Sequence, residues 1–225
     1  MSSIISLDAA YQLYSNSPET VKFVDASYSM PGAGDMRMQI FSQYRLPSAT
    51  YFDIDTIADL DSPLPHMLPS EQVFSQSVAV LGISNEDTVI VYAQEHAAMA
   101  ACRVWWMFKT FGHENILVLD GSLRDWMNAG LPLSTQEVKA ITTAVYKAVL
   151  NSSLVVSLND LASDDGMFVV DARGAERFNG SAAEPRKGLQ SGHIPGSVNL
   201  PFSVFFNSNG RFIDSAKREA TKITK

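Results

Sequence analysis

Two apolar strands in this chain end in the same Asp-Ala pair, and each leads over nearly the same distance to a proline turn and a second strand-like run. Lys22-Phe23-Val24-Asp25-Ala26 leads to Arg45-Leu46-Pro47-Ser48-Ala49, and Val169-Val170-Asp171-Ala172-Arg173 leads to Gly192-His193-Ile194-Pro195-Gly196. Asp25 lies 22 positions before Pro47, Asp171 lies 24 before Pro195, and the two aspartates are 146 apart. A passage that recurs at this separation favours two domains, each built from strand, loop, turn and strand. With 225 residues, 46% of them hydrophobic, the chain has apolar material for a sizeable core.

Between the two copies, strands and helices alternate. Ser6 precedes apolar residues at helical spacing from Leu7 to Tyr14, as an N-cap would. Val21 to Ala26 reads as a buried strand. Asp35 to Gln43 is open between helix and loop. Three prolines between Asp59 and Glu71 (63, 65 and 69) make that stretch an ordered surface connection, since proline removes a donor and blocks the helical turn. A helix is expected from Pro69 to Gly82, a strand from Thr88 to Tyr92, a loop over Ala93 to Ala98 and a helix from Met99 to Phe111. A strand from Ile116 to Leu119, then Asp120-Gly121-Ser122 and a short helix close the first half. The pattern predicts an α/β fold with a parallel sheet in each domain, flanked by helices, and ligand loops at the C-terminal strand ends. The expected boundaries are a first domain over 1–133, an interdomain linker over 134–153 and a second domain over 154–225.

A net charge of -7 argues against a nucleic-acid partner, which calls for a basic face. The first fifteen residues lack Lys and Arg, and no apolar run approaches a membrane span, so a cytoplasmic location is expected ahead of a mitochondrial one. The single cysteine, Cys102, excludes an internal disulfide. It falls inside the Met99 to Phe111 helix, where a cysteine is ordinarily an inert small hydrophobe, although Arg103 beside it is placed to lower its pKa. His66, His96, His113 and His193 are scattered without metal-ligand spacing, and no phosphate-binding glycine fingerprint occurs, so neither metal nor cofactor is expected.

The candidate site residues cluster after the second Asp-Ala strand. Arg173, Arg177, Arg186 and Lys187 suit an anion pocket. Arg186 offers a planar donor fork to a carboxylate or oxyanion, or else pairs with Glu184 or Asp171. Asp171 is open between binding loop amides or an arginine and acid-base work. His193, before Ile-Pro-Gly, is open between a turn-forming and a functional role.

Taken in order, Val170-Asp171-Ala172-Arg173, Arg177-Phe178-Asn179-Gly180, Glu184-Pro185-Arg186 and Gly192-His193-Ile194-Pro195-Gly196-Ser197 resemble the second domain of the tandem-rhodanese sulfurtransferases, the thiosulfate and 3-mercaptopyruvate enzymes. Phe52-Asp53-Ile54-Asp55, Pro65-His66-Met67-Leu68-Pro69, Arg103-Val104-Trp105-Trp106-Met107-Phe108, Phe111-Gly112-His113 and Leu119-Asp120-Gly121-Ser122-Leu123 resemble the first, non-catalytic one. The resemblance implies transfer of a sulfane sulfur to a thiol or cyanide through a cysteine persulfide, with an anionic donor and a thiol acceptor as partners and no cofactor. It implies a donor contact at Arg186 and a pocket scaffold of Asp171, Arg173 and His193.

The resemblance also implies a thiolate cradled by backbone amides at a helix N-terminus. Tyr92 stands 67 positions after Asp25, and the same step from Asp171 reaches 238, beyond Lys225. The persulfide cysteine is therefore expected outside this sequence, the second sheet is expected to be incomplete and in need of a covering partner, and Asp214 to Lys225 is expected to be a loosely attached polar tail. Three functions stay open: the family activity in a longer form, a non-catalytic module that binds an anion or a protein, and an enzyme using Cys102.

Overall fold

The computed structural model describes residues 2–29, 34–95, 99–135, 142–163, 166–185 and 188–221, the side chains of 215, 219 and 220 excepted. The chain forms two compact units, Met1–Val155 and Val156–Lys225.

In the first unit the described elements follow one another as β1 (Ile4–Ile5), α1 (Leu7–Asn16), β2 (Val21–Asp25), α2 (Arg37–Gln43), β3 (Thr50–Tyr51), α3 (Glu71–Val80), β4 (Thr88–Ala93), α4 (Met99–Thr110), β5 (Ile116–Ser122) and α5 (Leu123–Asn128). The strands form one sheet in the order β1-β5-β4-β2-β3, with every pairing parallel. From β2 the chain moves outward to β3, then returns to place β4 on the other side of β2. The order therefore reverses between β2 and β4, where ligand crevices of parallel sheets form.

Local sequence explains most boundaries. Ser6 caps α1 by accepting from Ala9 N, and Ser70 caps α3 by accepting from Val73 N, so α3 starts at Glu71 and not at Pro69. The stretch left open between helix and loop forms α2. β5 runs past the expected end at Leu119, through Asp120-Gly121 to Ser122, and a register shift against β4 absorbs the extra residues. Ser122 and Asp125 then form a reciprocal capping box that starts α5.

Both faces of the sheet are covered. Phe23, fully buried, lies 5.4 Å from the rings of both Tyr14 and Trp126, which α1 and α5 supply. Phe74 of α3 meets Phe108 of α4 at 5.3 Å and Phe111 at 4.2 Å, with Phe52 alongside. Near-continuous apolar strands such as Thr88–Ala93 are the composition that two-sided burial requires.

Residues expected to be interdomain linker belong to the first unit. From Ala144 to Asn151 an extended strap is pinned along α3 and the end of α4. Ala144 N donates to Ala79 O (2.9 Å), Ala148 N to Ser75 Oγ (2.9 Å), Leu150 N to Glu71 Oε1 (2.6 Å) and Val149 N to Phe111 O (3.1 Å). Asn85 clips Lys147 through both its backbone groups, and Tyr146 and Ala148 are buried. The strap is held because Tyr146 fills a place in the aromatic cluster, 6.0 Å from Phe74. Residues 136–141 of the expected linker lie outside the described residues.

The second unit contains α6 (Leu158–Ser163), β6 (Val170–Asp171), α7 (Ala175–Phe178), β7 (Val198–Asn199), a 3-10 turn over Phe202–Phe205 and α8 (Ser215–Ala220). β6 and β7 pair in parallel. None of its described residues is fully buried, and Phe168, Val170 and Leu158 are exposed. Two short strands do not enclose a core. Within the segment expected to be a polar tail, α8 forms because Asp214 caps it by accepting from Lys217 N; residues 222–225 lie outside the described residues.

Candidate functional site

At the reversal point of the first sheet, the end of β2 carries Asp25. Its carboxylate is fully buried and accepts from Ser27 N (2.9 Å), Ser27 Oγ (2.6 Å) and Gln94 Nε2 (2.8 Å). Burial pushes its pKa up, against the opposing pull of these hydrogen bonds. Gln94 also donates from its backbone to Ser27 Oγ and from Nε2 to Arg37 O, tying the ends of β2 and β4 to α2. This knot floors a cavity of about 310 Å³ lined by Ser27, Tyr28, Arg37, Ile40, Gln94 and Glu95. It is a scaffold, since among the described residues the carboxylate is held by Ser27 and Gln94 beneath the cavity floor. His96 and the rest of the loop after Glu95 lie outside the described residues.

Cys102 is half-buried in α4, and burial pushes its thiol up to about 11, so it is protonated at neutral pH. Arg103 does not lower it as the sequence suggested. Its guanidinium donates to His66 O (2.7 Å) and lies over the Trp106 ring, 4.6 Å from the centroid. A protonated thiol in mid-helix is not a nucleophile.

The proline-rich connection hides a pair that the sequence reading missed. His66 Nε2 lies 2.7 Å from Asp55 Oδ1, and Arg37 Nη1 lies 3.5 Å from the other Asp55 oxygen. Tyr28 meets the imidazole edge-on at 5.1 Å. His66 has φ +58°, a strained conformation for a non-glycine residue that marks functional positions more often than chance. Both side chains line a cavity of about 260 Å³. A carboxylate-oriented imidazole is suited to proton transfer. His66 and Asp55 each fall in a stretch of family likeness, Pro65 to Pro69 and Phe52 to Asp55, but nothing in the spacing pairs them. Among the described residues, no three His, Cys, Asp or Glu side chains come together as metal ligands.

In the second unit, Asp171 ends β6 as Asp25 ends β2. Phe52 N donates to Asp25 O (2.8 Å), Leu200 N to Asp171 O (3.0 Å), and the aspartates sit in register with Tyr51 and Asn199. Around Asp171, however, the cluster is ionic. Arg173 donates to it from Nε (3.0 Å) and Nη2 (2.5 Å), to Gly192 O (2.7 Å) and to Glu184 Oε1 (2.9 Å). Arg177 donates to Glu184 from Nε (3.2 Å) and Nη2 (2.5 Å). Arg173 holds the Asp171 carboxyl below its usual range, and Arg177 does the same for Glu184.

His193 donates from Nδ1 to Phe178 O (2.8 Å) and stacks on the Phe178 ring at 3.8 Å. The structure thus brings Asp171, Arg173, Arg177 and Glu184 together and places His193 against α7. Arg186, expected to contact the donor, and Lys187 lie outside the described residues.

A parallel sheet with helices on both faces, a buried aspartate at its reversal point and an arginine-carboxylate loop after a matching strand end define a rhodanese-like protein. The rhodanese-like domain family matches residues 8–129. The mouse 3-mercaptopyruvate sulfurtransferase is 38% identical over 213 residues, covering 93% of this chain and 71% of that protein. The bovine thiosulfate sulfurtransferase is 39% identical over 195 residues, covering 84% of this chain and 65% of that protein. The crystal structure of SseA from Escherichia coli, a 3-mercaptopyruvate sulfotransferase of rhodanese fold, superposes with a TM-score of 0.83 at 29% identity, covering 98% of this chain and 82% of that one. This chain belongs to the rhodanese family of 3-mercaptopyruvate and thiosulfate sulfurtransferases. It spans about two thirds of the length of its curated relatives, 66% for the rat and human proteins.

Proposed function

We propose that this chain is the donor-binding part of a sulfurtransferase that takes sulfur from 3-mercaptopyruvate or thiosulfate and passes it, through a cysteine persulfide, to a thiol or cyanide. The observation that carries the reading is the second-unit cluster. Arg173 is consumed by Asp171, Glu184 and Gly192, whereas Arg177 has one edge on Glu184, and its Nη1 has no partner among the described residues. A guanidinium with an open edge suits the anionic end of either donor. We read the matching strand ends at Asp25 and Asp171 as two copies of one unit, the second of which holds its aspartate directly with an arginine.

The nucleophile is a thiolate that Cys102 does not supply, since burial keeps its thiol protonated. The test is cyanide-dependent thiocyanate formation with each donor, by this chain and by Cys102→Ser. The reading expects the substitution to change nothing; turnover that disappears with Cys102 would overturn it. The same cysteine environment favours a second reading, a non-catalytic module that binds an anion or a protein. Sequencing the transcript past codon 225 separates the two, because an in-frame cysteine loop of the family type sinks the module.

A further inference from the structure

We propose that Glu184 is a positioning residue: its carboxylate grips one edge of the Arg177 guanidinium so that the opposite edge faces a small oxyanion or carboxylate. The proposal rests on the reading that the second-unit arginines hold the donor, and it names what aims them.

The Glu184 side chain is 3% exposed, although it carries charge, while that of Arg177 is 37% exposed. The carboxylate is thus the enclosed member of the pair and the guanidinium its open face. Both Glu184 oxygens are used by Arg177, and Oε1 also accepts from Arg173. A guanidinium is planar and rigid, so a grip on its Nε and Nη2 edge fixes the direction of Nη1. Arg177 sits on α7, a single turn of four residues that is too short to be stable alone. That turn is held from the other side by His193, through its hydrogen bond to Phe178 O and its stack on the Phe178 ring. Backbone and side chain of the arginine are therefore fixed by two separate partners. Arg173 needs no such aiming, because its contacts to Asp171, Gly192 and Glu184 leave it a strut of the loop.

Charge alone predicts the opposite effect. Replacing Glu184 by a neutral residue makes the site one charge more positive and should tighten an anion, whereas loss of aim should loosen it. The experiment titrates sodium thiosulfate at low ionic strength into the ¹⁵N-labelled full chain and into Arg177→Gln, Glu184→Gln and Glu184→Asp, following backbone and arginine Nε–H resonances. Binding does not require the persulfide cysteine. The expected result is saturable binding by wild type, its loss in Arg177→Gln, and a fall of about tenfold in Glu184→Gln, the factor that one charge-assisted hydrogen bond represents.

Binding by wild type that is lost in Arg177→Gln but equal or tighter in Glu184→Gln overturns the positioning role and leaves the donor reading intact. No binding by wild type, or binding unaffected by Arg177→Gln, overturns both. Should Glu184→Gln lose native amide dispersion, Glu184→Asp decides, since it keeps the charge and shortens the reach by one methylene. Undiminished affinity in that variant overturns the proposal.

Discussion

Ser48 and Gly196 adopt the same left-handed backbone conformation, φ +55° and +81°, each immediately after a proline and each inside a turn closed by a short hydrogen bond. The closing bonds run from Ala49 N to Leu46 O (3.1 Å) and from Ser197 N to Ile194 O (3.0 Å). Glycine takes this conformation freely, and serine at a cost of about 1 kcal/mol. Ser48→Gly is therefore expected to lie within about 0.5 kcal/mol of wild type, strain relief being offset by the more flexible unfolded chain and by the lost Tyr14 contact. Ser48→Val, β-branched at positive φ, should cost about 2 kcal/mol. Urea unfolding of the two variants measures the difference, and equal stabilities would remove the strain argument.

Gly112, at φ +82°, lies beneath the strap, where an added Cβ would sit 3.2 Å from Val149 O. Gly112→Ala combines backbone strain with a clash against backbone and should cost about 2 kcal/mol. Hydrogen exchange should show the loss at the amides of Val149 and Asn151, which bond to the end of α4. Unchanged protection there would mean that the strap does not depend on the close approach.

The strap should also respond to acid. His113 is buried, donating from Nε2 to Asp87 O (3.0 Å) and accepting at Nδ1 from the Tyr146 hydroxyl (3.3 Å). Burial holds its pKa below the ordinary 6.5; nearby Lys109 works in the same direction and Asp87 against it. The neutral imidazole's contribution to stability is therefore whole above that ordinary value and is lost as pH falls below it. Urea midpoints should drop between pH 7.5 and pH 5.5, and a His113→Gln variant should show a smaller drop. Parallel pH profiles would exclude His113 as the source.

Cys102 should alkylate slowly at neutral pH. With the thiol pushed up to about 11, the rate with iodoacetamide should still be climbing between pH 8 and pH 10 in the folded chain. In urea it should level off near the ordinary value of 9. A folded-state plateau below pH 9 would place the thiol outside its buried setting.

Trp126 joins the sheet to α5, fully buried and donating from Nε1 to Pro132 O (2.8 Å). Trp126→Ala should cost about 3–5 kcal/mol through lost burial and the cavity left behind. Trp126→Phe should cost less, because it retains a ring against Phe23. Circular dichroism with urea melts orders the two.

Much of this architecture was legible in the chain. The apolar runs at Val21 to Ala26 and Thr88 to Tyr92, the cap Ser6 and the paired Asp-Ala strand ends are local patterns, and local patterns report the backbone that short-range sterics and capping prefer. The family likeness came from the order of such patterns. Charge pairing in the arginine loop was half visible, since Glu184 and Arg186 adjoin Pro185, but which arginine takes the carboxylate depends on a loop fold that spacing does not specify. The pairing of Asp55 with His66 across the proline-rich turn was invisible, as was the return of Tyr146 into the aromatic cluster of Phe74 and Phe108. Polar, irregular sequence between 134 and 153 looked like linker because one buried ring and a row of backbone donors leave no periodic signature. The sequence by itself determined the strand-helix order, the repeated Asp-Ala ends and the family. Only the tertiary structure decided that Cys102 is protonated, that Arg173 is a strut while Arg177 is open, and that the strap belongs to the first unit. Each of these turns on burial and on contacts between residues far apart in the chain, which only folding brings within a few ångströms.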